Sequence, residues 1–403
     1  MILQAYKLVK DNKGAGGIDE VSLDIFDRDW KNNLYKIWNR MASGTYFPPP
    51  VKAVPIPKKS GGTRILGIPT IEDRIAQMVV KLSIEKNIET CFHQDSYGYR
   101  PNKSTLDAIE ITRNRCWKYN WVLEFDSIGL FDNINHDLLM RTVEKHSKNS
   151  WEILYIKRWI VAPIVFQDGR LEERIRGVPQ GGAISPLLAN LFLHYVFDCW
   201  MTQNYANNPW CRYADDAIIH CKSHKQAKFI KDKLNERMQS CGLELHATKT
   251  KIVYCKDSNR KEYYENCNFT FLGYEFRPRK AKGKKGVVFT SFLPAISSNA
   301  KKSIRQSIKE WRLLWMTNQN LIDIAKRYNS VIQGCLNYYG KYGRKELVKV
   351  LEHVNKHLCQ WFRRKYKSYK RKKELTRKVM TSIAIREQNM FAHWKVGITK
   401  MVG

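Results

Sequence analysis

The spacing of apolar residues changes several times along the chain, and each change marks an element. Residues 3–12, LQAYKLVKDN, repeat apolar side chains at helical intervals until the glycines of KGAGG break the pattern. Residues 48–69, PPPVKAVPIPKKSGGTRILGIP, are punctuated by Pro and Gly, with β-like apolar residues and basic ones between them. From Thr70 to Cys91 the helical period returns through Ile71, Ile75, Met78, Val79 and Leu82. WVLEFDSIG (121–129) reads as a short apolar strand running straight into Asp126, and HDLLMRTVEKH as the helix after it. GVPQGGAISPLLANLFLHYVFDCWM is a glycine-rich loop opening a long apolar helix. WCRYADDAIIHC (210–221) reads as strand, turn, strand. SHKQAKFIKDKLNERMQSCG is an amphipathic helix with Gly242 at its C-terminal end. A strand pair around KIVYC and FTFLGYEF follows, and from about Phe292 the pattern is helical, aromatic and rich in Lys and Arg. Strands alternating with helices over the first two thirds and a helical last third predict an α+β chain of more than one domain.

Charge narrows the function. Seventy Lys and Arg against 38 Asp and Glu leave a formal +32, which draws in polyanions, above all nucleic acid. No apolar run approaches the roughly 18 residues of a membrane span. The N-terminus lacks the apolar stretch of a signal peptide, so the expected setting is the cytoplasm, with no membrane partner. Ten cysteines without a C-x-x-C pair read as reduced thiols, and ten histidines form no zinc-binding pattern.

The chemistry lies in the carboxylates. Asp215 and Asp216 are adjacent inside a stretch that otherwise reads as strand, and Asp126 ends another strand. An Asp pair in a solvated turn is the plain alternative. If the elements share one sheet, three carboxylates converge, and like charges at close range oppose each other's ionisation. Hard divalent cations resolve that repulsion: Mg²⁺ is held by carboxylates plus substrate phosphates, and a pair of such ions serves in-line phosphoryl transfer.

Several ordered blocks give the chain a specific resemblance. NKGAGGID, IPKKSGGTRILGIPTIEDRIAQ, DSYGYRPNKSTLDAI, FDSIGLFDNINHDLL, GVPQGGAISPLLANLFLH, RYADD, GLELHATKTKIV, FTFLGYEF and NSVIQGCLNYYGKYG resemble, in order, the blocks of the bacterial group II intron reverse transcriptase and maturase family. The resemblance implies a right-hand polymerase: an N-terminal extension over 1–34, fingers and palm with an antiparallel palm sheet over 35–277, a helical thumb over 292–372, and a basic DNA-binding segment over 373–403. It implies that Asp126, Asp215 and Asp216, with the backbone carbonyl of Ser127, hold two Mg²⁺ ions. Lys58 or Lys59 with Arg64 would grip the triphosphate, the alternative being a solvated basic loop. Phe131 would crowd the 2′ position of the incoming dNTP, or be a core aromatic. Gln180 would contact the nucleotide, with Gly181 and Gly182 leaving it room, and Lys249 would serve the pyrophosphate leaving group. Leu272 and Gly273 would form a primer grip, or simply a turn. Arg74 and Arg100 would handle template backbone, with buried ion pairs as the alternative. Ile128 and Cys335 depart from the family's usual lysine and tryptophan, and Gly129-Leu130-Phe131 stands where the family usually has GFF.

The stretch 361–378, WFRRKYKSYKRKKELTRK, holds ten basic residues and one acid, interleaved with aromatics. As one helix it would present cations all round, unfavourable without a polyanion. A solubilising tail is the plain reading; the aromatics favour contact with RNA and DNA through Arg363, Arg364, Lys365, Lys370 and Arg371. The implied partners are group II intron RNA, an RNA template with DNA primer, a DNA target and dNTPs. The activity would be RNA-directed DNA polymerisation coupled to splicing and retrohoming. With no Cys/His-rich nuclease module before Gly403, second-strand cutting is not expected. A splicing-only RNA-binding protein, and a domesticated reverse transcriptase of DNA repair or antiviral defence, are the alternatives.

Overall fold

The computed structural model describes residues 1–57, 61–283 and 285–401. They divide into two units: residues 1–108 with 121–252, and residues 109–120 with 253 onward. Strands in chain order are β1 (Val51–Pro57), β2 (Thr63–Ile68), β3 (Trp121–Phe125), β4 (Ile164–Val165), β5 (Leu171–Glu172), β6 (Trp210–Tyr213), β7 (Asp216–Cys221), β8 (Lys251–Tyr254), β9 (Phe269–Phe271), β10 (Tyr274–Lys282) and β11 (Val288–Ile296).

In the first unit, one sheet has the order β2-β1-β4-β5. β4 pairs only with Val51 and Lys52 of β1, so Pro55 and Pro57, which lack an N–H, lie beyond that pairing. The other sheet is built on β6-β7-β3, antiparallel throughout, with β8 at its edge where the chain leaves the unit. β3 and β7 are buried on both faces, and so read as continuous apolar runs. The helix His224–Ser240 lays Ala227, Ile230, Leu234 and Met238 against them, and Gly242 follows it with φ +78°. Phe197 meets Phe125 and Trp210, each at 5.1 Å between ring centroids.

Two helices depart from the sequence pattern. In Ile71–Glu89, capped by Thr70, Asp73 and Gln77 are buried while Val79 and Leu82 are only half-buried. Asp73 can be buried because Tyr46, Trp159 and Gln77 each donate it a hydrogen bond. The apolar helix Ser185–Leu193 does not continue as α-helix: His194–Asp198 form a π turn before Cys199–Asn204 resumes.

In the second unit β9, β10 and β11 form an antiparallel meander. The helical region expected from Phe292 begins instead at Ser298, because Phe292–Ile296 complete β11 against β10. The helices Ser298–Glu310, Leu321–Tyr339, Arg344–Lys365 and Lys373–Arg386 share one core containing Ile308, Ile332, Leu351, Trp361 and Met380. Phe391, Trp394, Ile398 and Met401 are buried in that same core, so much of 373–401 is integral to the helical unit. The basic stretch is not one helix: it breaks at Tyr366, passes through a 3₁₀ turn at Lys367–Tyr369 and restarts at Lys373. Like charges at helical spacing disfavour a continuous run. All cysteines are free thiols, and no helix among the described residues is long and apolar enough to cross a membrane.

Candidate active site

β3 and β7 pair with Phe125 opposite Ala217, so one register step further brings Asp126 opposite Asp216. Tyr213 pairs with Asp216, which leaves Ala214 and Asp215 as a two-residue turn, with φ +56° at Ala214. All three carboxylates therefore stand at one end of the sheet. The segment after Gly242 runs past the same end. His246 donates its backbone N–H to the Asp126 carbonyl, Ile128 donates to Glu244, and Lys249 reaches Asp126 with an Nζ–Oδ2 distance of 2.5 Å.

Electrostatics report how tightly the acids are held. Desolvation raises the Asp215 pKa, and Asp126 adds to the rise while Arg64 and Lys249 oppose it. Asp216 is exposed on one side yet surrounded by enough protein to push it up to about 7, first by desolvation, then by Asp215 and Asp126. The buried Ser127 hydroxyl has no hydrogen-bond partner among the described residues. This set of hard oxygen donors, short of positive charge, suits a divalent cation. No three Asp, Glu, His or Cys side chains among the described residues are gathered closely enough to ligate one ion, and the Lys249 ammonium supplies part of the missing charge.

A cleft of about 530 Å³ is lined by residues that include Arg64, Phe131, Asp132, Arg174, Arg176 and Gln180, and Arg64 links it to the carboxylates by acting on Asp215. Phe131 is the second residue of the short helical turn Leu130–Asn133, entered through Gly129 at φ +54°. Val178 donates to the Phe131 carbonyl and Gly177 to Ile134, which draws the Pro179–Gln180 loop against that turn. Gly177 can approach so closely only without a side chain, since a Cβ there would lie 2.7 Å from the Phe131 and Asp132 carbonyl oxygens. Gln180 donates to both carboxylate oxygens of Asp132, at 3.0 and 3.1 Å.

Residues 56–276 match the family described as Reverse transcriptase (RNA-dependent DNA polymerase), and residues 301–379 match the Group II intron, maturase-specific domain. The chain belongs to the reverse transcriptase family. Protein YkfC of Escherichia coli (strain K12) is 30% identical over 72% of this chain and 84% of its own length. The Group II intron-encoded protein LtrA of Lactococcus lactis subsp. cremoris is 26% identical over 83% and 68%. Among solved structures, apo telomerase from Candida tropicalis aligns over 60% of this chain and 59% of its own, at 17% identity and a TM-score of 0.45.

As a reverse transcriptase, the chain is an RNA-directed DNA polymerase of α+β fold carrying a maturase-specific domain. Its fold gathers Arg64, Phe131 and Gln180 in one cleft; Lys58 and Lys59 lie outside the described residues. The expectation for Gly181 and Gly182 needs correction. A Cβ on Gly181 would lie 2.3 Å from the Gly67 carbonyl oxygen, and one on Gly182 would lie 2.5 Å from Ser185 Oγ, so the room they leave is filled by the chain itself. Of the two readings of Arg100, the structure has the buried ion pair. Its guanidinium bonds Glu89 and the carbonyls of His93 and Ser96, and the side chain is 6% exposed. Arg74 is likewise engaged internally, donating to the Pro69 and Ala15 carbonyls.

In the second unit Leu272 and Gly273 form the β9–β10 turn, both with positive φ, the arrangement of a type I′ hairpin. Tyr338 donates to the Leu272 carbonyl at 2.7 Å, and Tyr274 to the Tyr338 carbonyl. Of the basic residues expected to meet nucleic acid, Arg364, Lys370 and Arg371 are exposed, while Arg363 and Lys365 are half-buried.

Several residues escaped the sequence reading. Tyr99, at φ +55°, has its phenol pKa raised by desolvation and by Asp215. Arg174 and Arg176 line the cleft, and their signal in the sequence is a pair of cations just before GVPQGG. Arg212 is buried behind the Ala214–Asp215 turn and uses every guanidinium N–H: Nε and Nη2 on Asp198 (2.7 and 2.6 Å), Nη2 on Ser96 Oγ (2.8 Å), Nη1 on Asn190 Oδ1 (3.0 Å) and on the Ala214 carbonyl (3.1 Å).

Proposed function

We propose that this reverse transcriptase binds a group II intron RNA, assists its splicing and copies it into DNA at a DNA target. The observation that carries the reading is the meeting of Asp126, Asp215 and Asp216 at one sheet end, linked by Arg64 to the cleft it lines with Phe131 and Gln180. In this reading Asp126, Asp215 and Asp216, with the Ser127 carbonyl, hold two Mg²⁺ ions. Bound there, the ions would supply the charge that steadies the attacking and leaving oxygens of an in-line displacement. Arg64 grips the triphosphate with its fork of donors. Phe131 occupies the space a 2′-hydroxyl would need, so that a dNTP is preferred. Gln180 turns its amide from Asp132 to the nucleotide. Lys249 leaves Asp126 to neutralise the departing pyrophosphate. The second unit, whose basic surface lies among aromatics, holds the RNA and its DNA target.

The test uses purified full-length protein, the RNA transcribed from DNA flanking its gene, an annealed DNA primer, dNTPs and Mg²⁺. Spliced RNA and full-length cDNA are both expected from the wild type. Asp215→Ala should keep splicing and lose cDNA. Failure of the wild type to promote splicing would remove the intron from the reading, and loss of splicing in the variant would show that the two activities share the carboxylates.

A further inference from the structure

Within the second unit, one face of the helix Arg344–Lys365 fixes a short turn at three points. Trp361, Arg364 and Lys365 stand at i, i+3 and i+4 and so project together. Trp361 donates its indole N–H to the Met316 carbonyl at 2.9 Å, and Lys365 donates to the Gln319 carbonyl. Arg364 lays its guanidinium 4.2 Å from the centroid of the Trp315 ring. The turn is anchored below by Leu313, which is 1% exposed, and by Trp311, stacked on Tyr328 at 4.3 Å. The same 3₁₀ turn, Leu313–Trp315, that buries Leu313 leaves Trp315 71% exposed.

A large indole held outward on a clamped turn gives up the burial that Trp ordinarily gains, and it would lose little freedom on meeting a partner. Its surroundings specify the partner's charge. Residues 311–322 and 353–373 contain no Asp or Glu, and the second stretch is dense in Lys and Arg. A flat aromatic among cations suits a polyanion that also carries flat faces. Single-stranded nucleic acid presents those faces, whereas in a duplex they are stacked on one another. With Arg364 on one face of the ring, the other can receive a base, while neighbouring cations meet the flanking phosphates.

We propose that Trp315, backed by Arg364, is a stacking platform for an unpaired base of single-stranded RNA. This rests on the reading that the protein binds RNA, and the experiment separates the two. Binding of the full chain to a labelled, adenine-rich single strand of about 12 nucleotides is measured by anisotropy across a salt series, beside a duplex of the same sequence. Trp315→Ala is expected to bind the single strand roughly tenfold to a hundredfold more weakly, with the salt slope unchanged, because a stack and not a phosphate contact is lost. Its affinity for the duplex should equal that of the wild type, and Trp315→Phe should retain most single-strand affinity. Arg364→Gln, which removes the cation backing the ring, should weaken single-strand binding by less than Trp315→Ala and leave duplex affinity near the wild type. Wild-type affinity in Trp315→Ala, or an equal loss on the duplex, would overturn the platform and leave RNA binding standing. A wild-type protein that bound neither RNA would sink both.

Discussion

Arg212 shows how much of the candidate site depends on a residue that touches no substrate. Its contact with the Ala214 carbonyl fixes the peptide plane leading into Asp215, at a residue already in the left-handed region. Non-glycine residues pay for that conformation in strain of about 1 kcal/mol or more, so the turn persists only when its surroundings over-determine it. Asn190 contributes by donating to the Gly98 carbonyl, and Gly98 packs so close that a Cβ would lie 2.4 Å from the Ala214 nitrogen. Arg212→Ala would leave the buried Asp198 carboxylate with His194, 3.6 Å away, in place of the guanidinium fork, and would endanger the fold. Arg212→Lys keeps the charge and loses the fork, so the turn is freed without that penalty. The expected outcome is a folded enzyme whose kcat falls about tenfold to a hundredfold, with KM for dNTP nearly unchanged because the cleft residues are untouched. Steady-state primer extension measures both constants, and a wild-type kcat in the folded variant would show that Arg212 is structural alone.

At the level of elements, hairpins were the most legible feature and side-chain networks the least. RYADD and FLGY read as turns because apolar runs flank them, and both are two-residue turns in the structure. Asp198 could not be matched to Arg212 in advance, since it lies in a π turn that no 3.6-residue period marks. Composition misplaced the start of the helical region, because β11 lies between basic stretches and its pairing with β10 outweighs their helical bias. The C-terminal segment reads in sequence as a basic DNA-binding segment, and in the structure Asn355 of the helix Arg344–Lys365 ties it to the helical core by donating to the Ile398 and Lys400 carbonyls. The Asn355 carbonyl oxygen accepts from Trp394 Nε1 and His393 Nε2. Burial lowers the His393 pKa to about 3, so the imidazole stays neutral in the folded unit. An unfolded histidine titrates near 6.5, so the native state binds fewer protons below that pH. The contribution is fully present above about 6.5 and is lost as pH falls toward 3, costing about 2 kcal/mol near pH 5. His393→Gln keeps a donor for Asn355 and cannot titrate. Urea unfolding should therefore show the wild type losing stability relative to this variant between about pH 7 and pH 5, and a constant difference would remove His393 as the cause.

Over the whole molecule, a net +32 draws in polyanions, while Asp126, Asp215 and Asp216 place three negative charges at one sheet end. Sequence blocks assigned the family, and the fold brought Asp126, Asp215, Asp216 and Lys249 to one sheet end. The same blocks could not say which glycines serve substrate and which serve packing, because that depends on carbonyls such as that of Gly67, far away in sequence. The central claim is that these carboxylates act together in phosphoryl transfer, and extension of a DNA primer on an RNA template in Mg²⁺ tests it most directly. The wild type should synthesise cDNA and stop when the divalent ion is chelated. Asp215→Ala, equally folded and equally able to bind the primer–template, should lose at least about a thousandfold in rate, the several kcal/mol that metal ions supply to such a transition state. Robust cDNA synthesis by Asp215→Ala would contradict the account.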